Sequence, residues 1–304
     1  MTIQIPTVLI LGAASSSHCG YPLGIDLISQ IVQLHRQRKG FSLPPPWIAD
    51  DVDRFVTRLA RSSHYSIDAY LESVPNETDL GKYLIAYLLK QLEVLDNLFP
   101  PNNSGWYQYL LNSLLGKQRA NPFDGNNLTI VTFNYDRTVE AYLYNALIAR
   151  FGLSPDEALA QLLKVPIIHV HGLLGEFPSV PYSPSTDVDE VLAISKQINI
   201  IHEIKDNGGD FCTEGFAVAN AKIMAAEKVI FLGFGFHYDN VRRLKVDWTM
   251  KHFNQVFSTF WDTSDEEYKR IIARLSDLGI TTELLPMRGG HSCDVFFRFA
   301  ASLE

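Results

Sequence analysis

Five short polar or glycine-bearing stretches in this chain each follow an apolar run: Gly12-Ala13-Ala14-Ser15-Ser16, Asn134-Tyr135-Asp136, His171-Gly172, Gly233-Phe234 and Asp262-Thr263. The first has the clearest chemistry. Residues from Val8 to Pro22 read as a buried strand, a tight loop, and a helix opened by Pro22. In such a turn, backbone N–H groups come close to a ligand and the helix dipole favours an anion. Gly12 has no Cβ in the way, Ala13 and Ala14 still allow a close approach, and Ser15 to Ser17 add hydroxyl donors. The run is neither GxGxxG nor GxxxxGK[ST], so by itself it leaves two readings open: a nucleotide-binding turn or an ordinary strand–helix turn.

The other stretches carry the same kind of ambiguity. Asn134 and Asp136 could contact a ligand or form a turn that caps the following helix. His171 could work in a site or sit at a strand end as a surface residue. His169 shares its strand face, a spacing that would suit a metal pair, but no third ligand stands at a telling distance in sequence, and no metal is expected. Asp262-Thr263-Ser264-Asp265 reads first as a helix start and second as a ligand contact.

The elements that must position these residues follow from hydrophobic period. Apolar runs at 8–11, 128–133, 166–172, 228–232, 255–261 and 280–285 predict six strands. Helices are predicted over 22–39, 50–61, from 66, 79–98, 104–115, 137–150, 155–163, from 187, 214–227, 239–252, 264–278 and 291–303. From residue 128 on, strand and helix alternate. That pattern gives right-handed crossovers and an α/β fold: a Rossmann-like parallel sheet of about six strands with helices on both faces. The two parts of this domain are 1–40 and 128–304. Between them, 41–127 reads as a helical insertion after the first strand unit. All five stretches then fall at strand carboxyl ends, the edge where open α/β sheets bind ligands.

Composition narrows the class. With 304 residues and 46% apolar content, the chain can bury a sizeable core and is not disordered. A formal charge of −8 speaks against direct nucleic-acid binding. No apolar run reaches the length of about 18 residues that a membrane span requires, and no secretory signal is visible, so a cytoplasmic location is expected. The three cysteines, Cys19, Cys212 and Cys293, form no CxxC and build neither a disulfide framework nor a zinc ribbon.

Taken in order, these stretches resemble the sirtuin superfamily. The run from Gly12 to Pro22 is similar to GAGxSxxxGxP, with Gly12, Ala13, Ser16, Gly20 and Pro22 in place and Ala14 where the family has glycine. Thr132-Phe133-Asn134-Tyr135-Asp136 is similar to TQNxD, with Phe133 in place of glutamine. His171-Gly172 and Gly233-Phe234-Gly235 complete the series, and the likeness spans about residues 5 to 300. The absent zinc ribbon and the early helical insertion resemble the bacterial sirtuin-like NADases of anti-phage defence rather than the protein deacylases.

The resemblance implies hydrolysis of NAD, as substrate, to nicotinamide and ADP-ribose. It implies His171 as a general base with a pKa near neutrality, and Asn134 orienting the attacking water or a ribose hydroxyl. It further implies Asp136 as acceptor for the nicotinamide carboxamide, and Gly12, Ala13, Ala14, Ser16 and Pro22 around the pyrophosphate. Gly233, Phe234 and Asp262 would border ribose and adenine. The same pocket could instead sense NAD or ADP-ribose without turnover, and NAD-dependent protein deacylation is a third, weaker expectation. Because an unrestrained NADase is toxic, control by homo-oligomer assembly or by a partner protein, such as a defence ATPase, is expected.

Overall fold

The computed structural model describes residues 2–37, 42–64, 66–101, 105–116, 121–200, 214–246, 255–259, 264–277 and 286–287. Strands form where short apolar runs are bounded by turns: β1 (Thr7–Leu11), β2 (Leu128–Thr132), β3 (Ile167–His169), β4 (Lys228–Leu232), β5 (Gln255–Thr259) and β6 (Pro286–Met287). Every residue of β1, β2 and β4 is buried, as expected of central parallel strands covered on both faces. All pairings are parallel, and the spatial order is β3-β2-β1-β4-β5-β6. This is the order of a doubly wound, Rossmann-like sheet. The chain reverses direction across the sheet between β3 and β4, so the switch point lies between β1 and β4. Full strands number five, not the expected six. The sixth place is held only by β6, two residues paired with Ser258 and Thr259. The strand expected over 280–285 and the closing helix over 291–303 lie outside the described residues.

Side chains alternate between two cores. One face of the sheet buries Leu9, Leu11, Leu128, Ile130, Ile230 and Leu232. The other buries Val8, Ile10, Val131, Val229 and Phe231. The first face packs against α1 (Asp26–Arg36), the inserted helices α2 (Ala49–Arg61), α3 (Ile67–Ser73), α4 (Thr78–Lys90) and α5 (Trp106–Leu114), and then α6 (Thr138–Phe151), α7 (Pro155–Leu162) and α8 (Val188–Ser195). The second face is covered by α9 (Glu214–Met224), α10 (Tyr238–Arg243) and α11 (Asp265–Asp277). The inserted helices share one continuous core with the sheet rather than building a separate one.

Three helices differ from the pattern-based expectation, α10 among them, which ends at Arg243 and not at 252. α1 begins at Asp26, not Pro22, because two short 3-10 turns, Ala13–Ser15 and Ser17–Cys19, intervene after the first strand. α4 stops at Lys90 rather than Leu98, and the chain turns through 91–94 before a 3-10 turn at Leu95–Leu98. α4 is buried on every side, since α1, α3 and α8 all pack against it.

The early end of α4 has an electrostatic reason. It turns Lys90 and Glu93 inward to meet Arg137, and all three side chains are fully buried. Arg137 donates from Nε to Glu93 Oε1 at 2.9 Å, and from Nη2 to both carboxylate oxygens at 2.6 Å. Its Nη1 donates to the Gly175 and Val180 carbonyls at 3.0 and 2.7 Å. Lys90 Nζ donates to Glu93 at 2.5 Å and to the Pro181 carbonyl at 2.8 Å, and it lies 3.3 Å from Glu190. Two cations thus meet two carboxylates with their hydrogen bonds made, the condition under which buried charge is tolerated.

Removing one member strands the others. Glu93→Ala should lower unfolding free energy by about 3–5 kcal/mol, measured by urea denaturation. Lys269→Ala, which breaks an exposed pair with Glu266, should change it by less than about 0.5 kcal/mol.

Candidate active site

A cleft of about 900 Å3, counted out to its open mouth, lies at the carboxyl ends of the central strands. Gly12 and Ala13 after β1, Phe133 to Asp136 after β2, His171 after β3, and Phe234 and Gly235 after β4 all line it. The inserted helices close one side with Asp68 of α3 and Leu89 of α4, and α10 contributes Asn240.

The loop after β1 is held against the end of β4 by backbone contact. Gly12 N donates to Leu232 O at 3.0 Å, and Ala14 N to Gly233 O at 3.2 Å. A Cβ on Gly12 would come within 2.5 Å of Gly233 O, and one on Gly233 within 2.3 Å of Ser15 N. Gly233 also has φ +59°, a conformation open to glycine. Gly233 and Ala14 therefore join the two strand ends and do not line the cleft. Trp106 of α5 completes the anchor, its Nε1 donating to Ser15 O at 2.9 Å.

These contacts change what the loop offers an anion. The N–H groups of Gly12, Ala14, Ser15 and Ser16 are all engaged with protein carbonyls. A pyrophosphate held through the whole run of loop amides does not fit this arrangement. The helix whose dipole was to assist begins only at Asp26, although Gly24 and Leu27 beside its start do reach the cleft.

Asn134 and Asp136 knit the loop to β2. Asn134 Nδ2 lies 3.1 Å from Gly12 O, 3.2 Å from Ser15 Oγ and 3.4 Å from Ser16 Oγ. That leaves Oδ1 as the atom Asn134 can offer a ligand. Asp136 is buried. Its Oδ2 accepts from Ser16 Oγ at 2.7 Å, and its Oδ1 accepts from the backbone and hydroxyl of Thr138 at the start of α6. Burial raises its pKa against the opposing pull of Thr138 and Ser16. Ser16 and Asp136 thus spend these groups on each other and on a helix start.

The two histidines of the third strand end diverge. His169 Nδ1 faces Asn134 O at 3.0 Å, and Nε2 faces Glu140 Oε1 of α6 at 2.6 Å. Burial pulls its pKa down, but Glu140, the Asn134 carbonyl and Asp136 outweigh that and raise it. His171 lies instead among aromatic rings, edge-on to Phe133 at 5.5 Å and Phe216 at 5.4 Å. Burial first, and the Arg243 charge second, lower its pKa to about 4, with Asn240 and the Asn199 backbone opposing. The expected value near neutrality is corrected: the apolar wall makes the imidazole neutral at pH 7 and a weaker base. Among the described residues, no group of three or more His, Cys, Asp or Glu is arranged to hold a metal.

Of the residues singled out in the sequence, Gly12, Ala13, Ser16, Pro22, Asn134, Asp136, His171 and Phe234 line one cleft. Ala14 and Gly233 stand behind it, and Asp262 lies outside the described residues. Tyr21, Asp68, Tyr135, His237 and Asn240 also line it without having been singled out. His237 and Asn240 follow the β4 end and could have been found by extending the strand-end rule one helical turn. Asp68 has no local signal at all. No family model matches this chain, and no curated protein matches it. Among the described residues, no helix is long and apolar enough to cross a membrane.

The depressed pKa of His171 has a consequence for stability. Between pH 6.5 and about 4 the unfolded chain binds a proton here that the folded chain refuses. Stability from this residue is therefore intact above pH 6.5 and falls with pH, by about 2 kcal/mol at pH 5. Urea titrations at pH 7.5 and 5 should show His171→Asn losing that much less than wild type over the interval.

Proposed function

We propose that this chain hydrolyses NAD to nicotinamide and ADP-ribose. The observation that carries the reading is His171 and Asn134 on neighbouring strand ends of one cleft, beside the switch point of a 3-2-1-4-5-6 parallel sheet. A neutral imidazole can accept a proton, and an amide oxygen can orient the group that loses it. In the reaction, water adds to the anomeric carbon of the ribose. The carbon–nitrogen bond breaks with its electron pair going to nicotinamide, which leaves neutral, and His171 receives the proton of the water. The leaving group needs no acid, so one base suffices. The aromatic wall of Phe133 and Phe234 offers apolar surface to a flat ring. The resemblance to sirtuin-like defence NADases extends the proposal to NAD depletion during phage infection.

A second reading, a sensor that binds NAD or ADP-ribose without turnover, is favoured by the same pKa of about 4, since so weak a base accelerates less. The two separate in a turnover assay with nicotinamide and ADP-ribose quantified. A hydrolase should lose about 10²–10⁴-fold in kcat with His171→Ala while still binding nucleotide, and Asn134→Ala should also lose turnover. Because the base must be neutral, kcat/KM should fall as pH drops through about 4, not through 6 to 7. Tight binding with no turnover at any pH would establish the sensor.

Such an activity needs restraint, which we place in assembly with further copies of the chain or with a partner protein. Native mass and activity followed through dilution test this, with activity expected to fall as the assembly dissociates. Full activity in a monomer would overturn it.

A further inference from the structure

The carboxylate of Asp136 is buried and yet borders the cleft. Its Oδ2 accepts from Ser16 Oγ at 2.7 Å. Its Oδ1 accepts from Thr138 N at 3.2 Å and from the Thr138 hydroxyl. That hydroxyl oxygen also meets the hydroxyl of Tyr107, which α5 of the insertion brings in from 31 residues away. Thr138 and Tyr107 are both buried, so water does not compete for these bonds. The Tyr107 ring is set by Trp106, Tyr142 and His18, at centroid distances of 4.4, 5.1 and 4.8 Å.

Chemistry fixes the direction of this chain. A carboxylate only accepts, so the Thr138 hydroxyl proton points to Asp136. A hydroxyl has a single proton, so Tyr107 must be the donor to Thr138. Burial raises the pKa of Tyr107 well above its usual value, and the phenol keeps that proton. A hydroxyl that accepts one hydrogen bond donates more strongly in the next. Tyr107 thus strengthens the bond from Thr138 to Asp136 without touching the carboxylate. Burial and the charge of Glu140 work the other way and favour the protonated acid. Titratable groups that interact with Asp136 are Glu140 of α6, His169 at the end of β3, Tyr21 after β1, Tyr107 of α5 and Tyr182 in the loop after β3.

We propose that Tyr107 and Thr138 form a directed donor relay that keeps Asp136 ionised in the cleft, which makes Tyr107 a positioning residue supplied by the inserted helices. An ionised Asp136 only accepts hydrogen bonds and presents negative charge to a cationic ring. A protonated one would donate as well and carry no charge. The relay does not depend on the NAD reading. Under that reading it maintains the carboxylate beside which the positively charged nicotinamide ring would lie. The insertion then contributes to the charge of the cleft as well as to its wall.

The test reads Asp136 directly and without substrate. Carboxyl carbon signals of isotope-labelled aspartate are followed by NMR through a pH titration of the full chain, and the signal lost in Asp136→Asn assigns the residue. Thr138→Val should raise the titration midpoint of Asp136 by about one pH unit, and Thr138→Ser should keep the wild-type value. Tyr107→Phe retains the ring and should raise the midpoint by roughly 0.3 pH unit. Made in the Thr138→Val background, the same change should add less than about 0.1 pH unit, because the relay is already cut. A general loosening of the core would act in both backgrounds. Should Thr138→Val not fold, Thr138→Ala withdraws the same hydroxyl. An unmoved midpoint in folded Tyr107→Phe, or an equal shift in both backgrounds, would overturn the inference and leave NAD hydrolysis standing. Midpoints shifted as expected, with neither binding nor turnover of NAD, would establish the relay and overturn the NAD reading alone.

Discussion

A guanidinium with no exposed surface sits directly behind the candidate site, and much of the fold is arranged to satisfy it. Arg137 is the residue after Asp136, so its position sets where β2 hands over to α6. Glu93 reaches it from the inserted helices, and the carbonyls of Gly175, Val180 and Pro181 reach it from the long loop after β3. Lys90 adds a second cation that bonds the same carboxylate and the same loop. Three segments distant in sequence are thereby locked at one point. Buried charge gives no margin for partial packing, because any member left unpaired keeps its desolvation cost without compensation. The insertion is consequently part of the same structural body as the sheet and a wall of the cleft.

A second constraint works on the open side of the sheet. The loop after β1 fits against the end of β4 only because Gly12 and Gly233 leave no side chain between them. Asn134, Ser16 and Asp136 then tie that loop to β2, while Trp106 holds it from above. The polar groups of the loop are largely used in building the site. The amide oxygen of Asn134 and the aromatic wall of Phe133 and Phe234 remain open to a ligand. Under the proposed NAD reading, contacts to the sugar and the flat ring would count for more than an amide cradle for phosphate.

Two histidines two residues apart end with proton affinities displaced in opposite directions. His169 is paired with Glu140 and a carbonyl, and it supports the backbone of Asn134. His171 is walled by rings and faced by a cation, and it is neutral. Environments that push neighbouring titratable groups apart are a common means of dividing roles within a site. Here the division separates a supporting residue from a candidate base.

The sequence by itself determined the alternation of strands and helices, the helical character of 41–127, and the gathering of Gly12, Asn134, His171 and Phe234 at one edge. Those features follow from local period and from the rule that parallel strands point the same way. The early end of α4 was not legible, since its apolar spacing continues to Leu95 and only the distant Arg137 explains the turn. Nor were the late start of α1 or the reduction of β6 to two residues. The protonation of His171, the prior commitment of the loop amides, and the presence of Asp68 and Asn240 in the cleft were decided by the tertiary structure alone. Each depends on burial, charge or hydrogen-bond partners supplied by segments far away in the chain, and such quantities leave no trace in local composition.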